Sequence, residues 1–311
     1  MKILILGISS FVGFNISNQL IKKYKVTGTI TKNYRQYKNE KKLRLKKLNN
    51  KIKIFQCNID KPVEIKNIIQ NELPDIVINA TGYTKNYANG AFDQKKGFKT
   101  NVQSLKNIIK PLEKIKKNSV LYFNIGSAWE YSQNIEFCKE SSRKQPTIPY
   151  GLQKLQSTNT LRKMYKKNTK IIILRLFNIF GQLDNPKKIF NLLINNLKSN
   201  KISKLSSATQ MRDYIHVNDL AKAIDAIIKN KNKLKNFEIF NICRGMPIAI
   251  KNIVFKICKI LGKKKNLVEF DLKKNRSFEN QIFFGCNKKI TRLTNWKPLS
   301  FGKSLQLLVK K

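Results

Sequence analysis

The chain has 311 residues, 41% hydrophobic and 10% aromatic, a globular composition with room for one large domain or two coupled ones. The formal net charge of +45 comes mostly from lysine, with Asn and Ile abundant throughout, so charge alone marks no nucleic-acid stripe and no specific nucleic-acid partner is expected. Five cysteines without CxxC spacing and a single histidine, His216, make a metal site unexpected, and the odd thiol count fits a reducing cytoplasm.

MKILILGISSF has too short an apolar stretch for a signal peptide and reads as a first strand. Nowhere does an apolar run reach the roughly 18 residues of a transmembrane segment. Ile- and Val-rich runs at 2–6, 25–30, 52–57, 75–80, 119–125 and 170–176 predict six strands. Amphipathic stretches at 13–23, 61–72, 97–117 and 149–167 predict the helices between them. Such alternation predicts an α/β fold, a doubly wound parallel sheet of Rossmann type. After Gly181 come a helix near 186–199, RDYIHVNDLAKAIDAII, a strand at FEIFNI and a mixed tail. Residues 1–180, completed by 215–244, are expected to form the dinucleotide-binding domain. Residues 181–214 and 245–311 are expected to form a smaller, interleaved substrate domain.

Between the first strand and helix lies Gly7-Ile-Ser-Ser-Phe-Val-Gly13, a glycine-loop spacing with Ser10 in place of the middle glycine. Its turn and the amides at Phe11, Val12 and Gly13 suit a pyrophosphate at a helix N-terminus. CNID places Asn58 and Ile59 after strand 3 for an adenine ring, and NATG places Asn79, Ala80 and Thr81 after strand 4 for ribose and phosphates. At the end of strand 2, ITKNYR has no acid from Val26 to Tyr34 to bind a ribose 2′-hydroxyl, while Lys32 and Arg35 are within reach. NADP(H) is therefore favoured over NAD(H). The lysine run from Lys38 to Lys53 reads as a solvated face.

NIGSAWEY delivers Ser127 to the same sheet edge. In IPYGLQK, Pro149 suits the first turn of a helix that carries Tyr150 and Lys154 on one face. A neighbouring ammonium and the helix N-terminus are expected to lower the phenol from its usual pH ~10, making Tyr150 the proton-exchanging group, Lys154 its electrostatic partner and Ser127 the hydrogen-bonding group. YxxxK alone is weak in so lysine-rich a chain; Ser127 and the sheet before it supply the weight.

These features together resemble the extended short-chain dehydrogenase/reductases of the NAD-dependent epimerase/dehydratase family, which act on nucleotide sugars. The resemblance runs on through Asn101 in TNVQSLKNII, LRLFNIFG with Arg175, Phe177 and Asn178, RDYIHVNDLA with Arg212, FNICRG, and LTNWKP. It implies that Asn101 and Phe177 lie by the cofactor and that Asn178 and Arg212 contact the nucleotide diphosphate. It also implies a homodimer through the helices near 97–117 and 149–167. His216 reads as structural, with Asp213 or Asn218 as helix caps.

Members acting as 4,6-dehydratases carry a Thr-Asp-Glu or Thr-Ser-Glu cluster. Here Ala128 and Trp129 follow the serine and Glu130 falls one place late, which disfavours elimination. GSAWEY and R276-S-F-E279-N-Q-I-F-F-G285 look more like segments of GDP-4-keto-6-deoxymannose reductases, with Arg276 at the diphosphate; Ser277 and Cys286 depart from that pattern. The expected reaction is NADPH-dependent reduction of the C4 ketone of a nucleotide-linked 4-keto-6-deoxyhexose. A nucleotide-sugar 4-epimerase with retained NAD is the nearest alternative, and a non-catalytic nucleotide- or nucleic-acid-binding protein on the same fold is the alternative of another class.

Overall fold

Residues 1–85, 87, 91–115, 119–165, 168–271 and 280–309 are described by the computed structural model of the chain. Seven strands make one parallel sheet: β1 (Lys2–Leu6), β2 (Lys25–Ile30), β3 (Lys53–Gln56), β4 (Ile76–Asn79), β5 (Val120–Ser127), β6 (Thr169–Leu176) and β7 (Phe237–Ile242). Their order is β3-β2-β1-β4-β5-β6-β7, so the chain reverses its direction of travel between β1 and β4. Ligands of open parallel sheets sit at the carboxyl ends of the strands at such a point. The FEIFNI strand is β7, paired with β6 along its full length from Phe237–Ile171 to Ile242–Leu176.

The helices are α1 (Phe11–Leu20), α2 (Asn39–Leu48), α3 (Pro62–Glu72), α4 (Gln94–Phe98), α5 (Leu105–Leu112), α6 (Pro149–Met164), α7 (Ile189–Lys198), α8 (Val217–Lys229), α9 (Ile250–Leu261), α10 (Lys288–Thr294) and α11 (Phe301–Val309). Alternation along β1 shows why the sheet is covered on both sides. Ile3 and Ile5 join a core with Phe14 of α1, Leu45 of α2 and Ile224 of α8, while Leu4 and Leu6 join another with Ile65 of α3, Ile108 of α5 and Leu161 of α6. Each such side chain contributes about 1.5–3 kcal/mol on burial. A separate core around Leu193, Ile257 and Leu305 unites α7, α9 and α11.

The helix expected over 97–117 is not continuous. Lys99–Gln103 forms a π segment between α4 and α5, closed by the bond from Ser104 N–H to Lys99 O at 3.0 Å. Helix α5 ends at Leu112, directly after Pro111, whose ring cannot be carried deep into a helix.

Candidate active site

The glycine loop is built by three contacts. Gly7 has φ +83°, and a Cβ there would lie 2.9 Å from Thr81 Cγ2. A Cβ on Gly13 would lie 2.4 Å from Gly7 O, so neither position accepts a larger residue without movement. Ser10, in place of the middle glycine, caps α1: its hydroxyl accepts from Gly13 N–H at 2.9 Å and donates to Ala80 O at 3.2 Å. The side chain thus turns inward and ties the loop to the β4 end. The first-turn amides of Phe11 and Val12 have no intrahelical acceptor, as at any helix start. This glycine cradle and its amides fit a dinucleotide pyrophosphate.

Beyond the β2 end, Ser9, Thr31, Lys32, Gln36, Tyr37, Lys38 and Lys41 line an open cleft of about 360 Å³. No acid lies among them. Arg35 is exposed on the turn Tyr34–Gln36 and does not line the cleft; Lys38 and Lys41, assigned from the sequence to a solvated run, do. The Tyr37 hydroxyl, accepting from the amides of Thr31 and Lys32, brings the start of α2 back over the strand end.

Asn58 Oδ1 accepts from Asp60 N–H at 3.0 Å and its own amide donates to Glu64 at 2.8 Å, which fixes the turn after β3. Ile59 is buried among Leu4, Leu6 and Ile65, so its side chain serves the core instead of an adenine ring. Asn79 is likewise consumed internally, donating to Tyr122 OH and Asn124 Oδ1 and accepting from Thr81. Asn101, on the π segment, accepts from Tyr83 N–H and donates to Tyr83 O and Gln153 Oε1. It therefore clamps the segment after β4 to α6. Beside it the bare backbone of Gly82 leaves open the space where a Cβ would come 3.4 Å from Asn101 Oδ1 and 3.7 Å from Lys154 Nζ.

Ser127, Tyr150 and Lys154 converge at the β5 end. Pro149 opens α6, the Ser127 hydroxyl acts on the Tyr150 phenol, and Lys154 Nζ donates to Ile125 O at 2.7 Å while lying 5.8 Å from the Tyr150 ring centroid. Gly151 permits the approach: a Cβ there would sit 2.4 Å from Trp129 O. Ser127 Oγ accepts from Trp129 N–H at 3.2 Å, which leaves the serine proton to be donated. Tyr83, Tyr87, Phe92 and Trp129 pack around the phenol, which is 9% exposed.

Electrostatics at this point correct the sequence expectation. Burial raises the Tyr150 phenol above its ordinary value, Tyr87 and Glu130 add to the rise, and the Ser127 hydroxyl opposes it. Lys154 is lowered to about 8, again by burial, against the opposing pull of Glu130. Desolvation is the largest influence, so the phenol is protonated at neutral pH.

Glu130 lies behind the reacting side chains, on the Ser127 backbone. It is fully buried, accepts from Ser127 N–H at 3.0 Å and Thr158 Oγ1 at 2.8 Å, and pairs with Arg175 Nε at 2.9 Å. Phe177, stacked on Phe283 and tilted against Tyr131, is packed in a small core. Asn178 Nδ2 donates to Asp213 O. Arg212 sits in a small sheet between Ile248–Ala249 and Ile282–Gly285, with Nη1 donating to Met211 O and Gln281 O. Arg276 lies outside the described residues.

Asp213 is no helix cap. Its carboxylate accepts from the amides of Arg244, Gly245 and Gly285, and burial still raises it to about 6. The cap of α8 is His216, whose Nδ1 accepts from Asn218 N–H; burial lowers it to about 4, the neutral form that this bond needs.

A seven-stranded parallel sheet with a glycine loop at β1 and a Ser–Tyr–Lys cluster at β5 defines the Rossmann-type short-chain dehydrogenase/reductase class. The family model described as NAD dependent epimerase/dehydratase family matches residues 3–243, and the chain belongs to that family. CDP-abequose synthase of Yersinia pseudotuberculosis is 30% identical over 84% of each chain. The dTDP-D-glucose 4,6-dehydratase of Dictyostelium discoideum is 27% identical over 83% of this chain but 62% of its own length, and UDP-glucose 4-epimerase 2 of Arabidopsis thaliana is 28% identical over 51% of each. Among solved structures, UDP-glucuronic acid 4-epimerase of Bacillus cereus, in complex with UDP-glucuronic acid and NAD, superposes with a TM-score of 0.86 over 100% of this chain and 98% of its own at 22% identity. Among the described residues, no helix is long and apolar enough to cross a membrane.

Proposed function

We propose that this chain reduces the C4 ketone of a nucleotide-linked 4-keto-6-deoxyhexose, with NADPH preferred to NADH. The observation that carries this reading is the division of labour at the β5 end: Tyr150 is a buried, protonated phenol beside Ser127, and Glu130, the carboxylate nearest Ser127 in sequence, is committed to Arg175. Reduction needs a proton donor at the ketone oxygen, which Tyr150 is. Elimination needs a free carboxylate, which Glu130 is not. When bound, the dihydronicotinamide supplies the hydride. Ser127 donates a hydrogen bond to the substrate oxygen and keeps its proton, Tyr150 delivers the one proton that this oxygen takes up, and Lys154 holds positive charge beside the phenol. A relative named GDP-6-deoxy-D-talose 4-dehydrogenase, 22% identical over 89% of this chain, supports redox chemistry at C4.

The cofactor preference rests on Lys32, Lys38 and Lys41 in an acid-free cleft where a 2′-phosphate would lie. Asn178, Arg212 and Arg276 are proposed to hold the substrate diphosphate. A second copy is proposed to dock through the helices near 97–117 and 149–167, where Phe98 at the end of α4 is 38% and Leu152 of α6 is 47% exposed. The five buried free thiols suit a cytoplasmic setting.

The test is incubation with GDP-, CDP-, dTDP- and UDP-linked 4-keto-6-deoxyhexoses and each reduced nicotinamide, following nicotinamide absorbance. Stoichiometric oxidation is expected, with loss of turnover in Tyr150→Phe and retained cofactor binding. Conversion of a 4-hydroxy sugar without net absorbance change would favour the epimerase instead.

A further inference from the structure

Beneath the reacting groups lies a buried ion pair that the chemistry above does not use. We infer that Glu130 and Arg175 are positioning residues that lock the Ser127-bearing end of β5 to the Tyr150-bearing face of α6, and so fix the direction in which Ser127 donates. The inference rests on the reading of Ser127, Tyr150 and Lys154 as the reacting cluster.

The geometry is specific. Tyr150, Lys154 and Thr158 follow one another at four-residue intervals along one face of α6. Thr158 donates to Glu130 Oε2 at 2.8 Å, so the same carboxylate holds that face and, through Oε1, the Ser127 amide at 3.0 Å. Ser127 and Glu130 also form a capping box around the turn Ala128–Glu130, and the Trp129 amide in that turn occupies a lone pair of Ser127 Oγ. Rotation of Ser127 would break that bond, so its proton has a fixed outlet.

Arg175 anchors the clamp from β6. Its Nε bonds Glu130 at 2.9 Å, and its Nη1 reaches Tyr131 OH at 3.0 Å, which donates to Asn241 Oδ1 of β7 at 2.6 Å. A carboxylate at 0% exposure and an arginine at 1% are costly to desolvate, and a hydrophobic pair of similar size often serves stability equally well. Orientation of the strand end is what this pair adds over an apolar filling. Gly126 shows how close the packing is: a Cβ there would lie 2.7 Å from Glu130 Oε1. Among the described residues, Tyr87, Tyr131, Cys138, Glu140 and Lys144 also interact with this cluster, and Glu130 is the carboxylate that supports charge on Lys154.

Three variants of the full chain test the inference, with Tyr150→Phe as reference. The double variant Glu130→Leu/Arg175→Met replaces the pair by apolar groups; it is expected to fold, to bind NADPH as the parent does, and to lose kcat by about 100-fold with little change in KM. Thr158→Val cuts only the tie to α6 and should lower kcat by about 3–10-fold. A substrate-free reading comes from Glu130→Gln in 13Cε-lysine spectra, with Lys154 assigned by its loss in Lys154→Met. Its titration, near 8 in the parent, should move to lower pH. Parent-like kcat in the double variant, its failure to fold, or an unmoved Lys154 titration would each overturn the positioning role. Retained turnover in Tyr150→Phe would instead overturn the reading of the site.

Discussion

Replacing Lys38 and Lys41 together by glutamine tests how the cleft beyond β2 chooses its cofactor. Both side chains line that open space of about 360 Å³ with Lys32, and no carboxylate lines it. Two unit charges about 5 Å apart interact by about 0.8 kcal/mol in bulk water, and by several times that at an effective dielectric near 20. An open cleft lies near the water limit, and a phosphate monoester carries about 1.5–2 negative charges. Each lysine should therefore contribute about 1.2–1.6 kcal/mol to holding a 2′-phosphate, or roughly 8–15-fold in Kd. The double variant should weaken NADPH binding by about 60–220-fold and leave NADH within about twofold. Nicotinamide fluorescence titration at low and high salt measures both. The NADPH loss should shrink as salt rises, since these groups are exposed. Equal losses for the two cofactors, or no loss for either, would refute the assignment of the cleft.

Gly13→Ala forces a Cβ to 2.4 Å from Gly7 O; an overpacking cost of about 1–3 kcal/mol in urea unfolding should accompany at least a tenfold rise in Kd for either dinucleotide. Gly151→Ala, which meets Trp129 O at 2.4 Å, should push α6 off the turn beneath it and reduce kcat more than cofactor affinity. Turnover should fall as pH rises through about 8, where Lys154 loses its proton, and Lys154→Arg should remove that limb from any residual activity. Because the folded lysine releases its proton before the unfolded one does, between about 8 and 10.5 the unfolded chain binds more protons. The Lys154 contribution to stability should therefore rise with pH across that window, a trend that Lys154→Met abolishes in unfolding measured at several pH values.

The sheet was legible because both faces of β1 are covered: Ile3, Leu4, Ile5 and Leu6 form an unbroken apolar run, and helix-length segments follow each such run. Pro149 and the Tyr150–Lys154 spacing marked the reacting helix for an equally local reason. What the sequence concealed depends on chain segments meeting at a distance. Glu130 and Arg175 are 45 residues apart, and only the fold shows that the glutamate faces inward. The sign of the Tyr150 shift was misjudged because desolvation by Tyr87, Phe92 and Trp129 has no marker in the residues beside it. Lys38 and Lys41 are indistinguishable within a lysine-rich background; the Tyr37 hydroxyl, bonded to the Thr31 and Lys32 amides, is what brings them over the β2 end.

The π segment at Lys99–Gln103 has a consequence for the phase of the helices it joins. One surplus residue in that turn offsets the rotation of about 100° that each helical residue adds. The face of α4 that meets α6 and the face of α5 that meets the sheet are thereby kept in step although no single regular helix could present both. Deleting one residue between Lys99 and Gln103 would heal the helix and swing Asn101 away from Tyr83 and Gln153, so regularity here would come at the expense of the clamp.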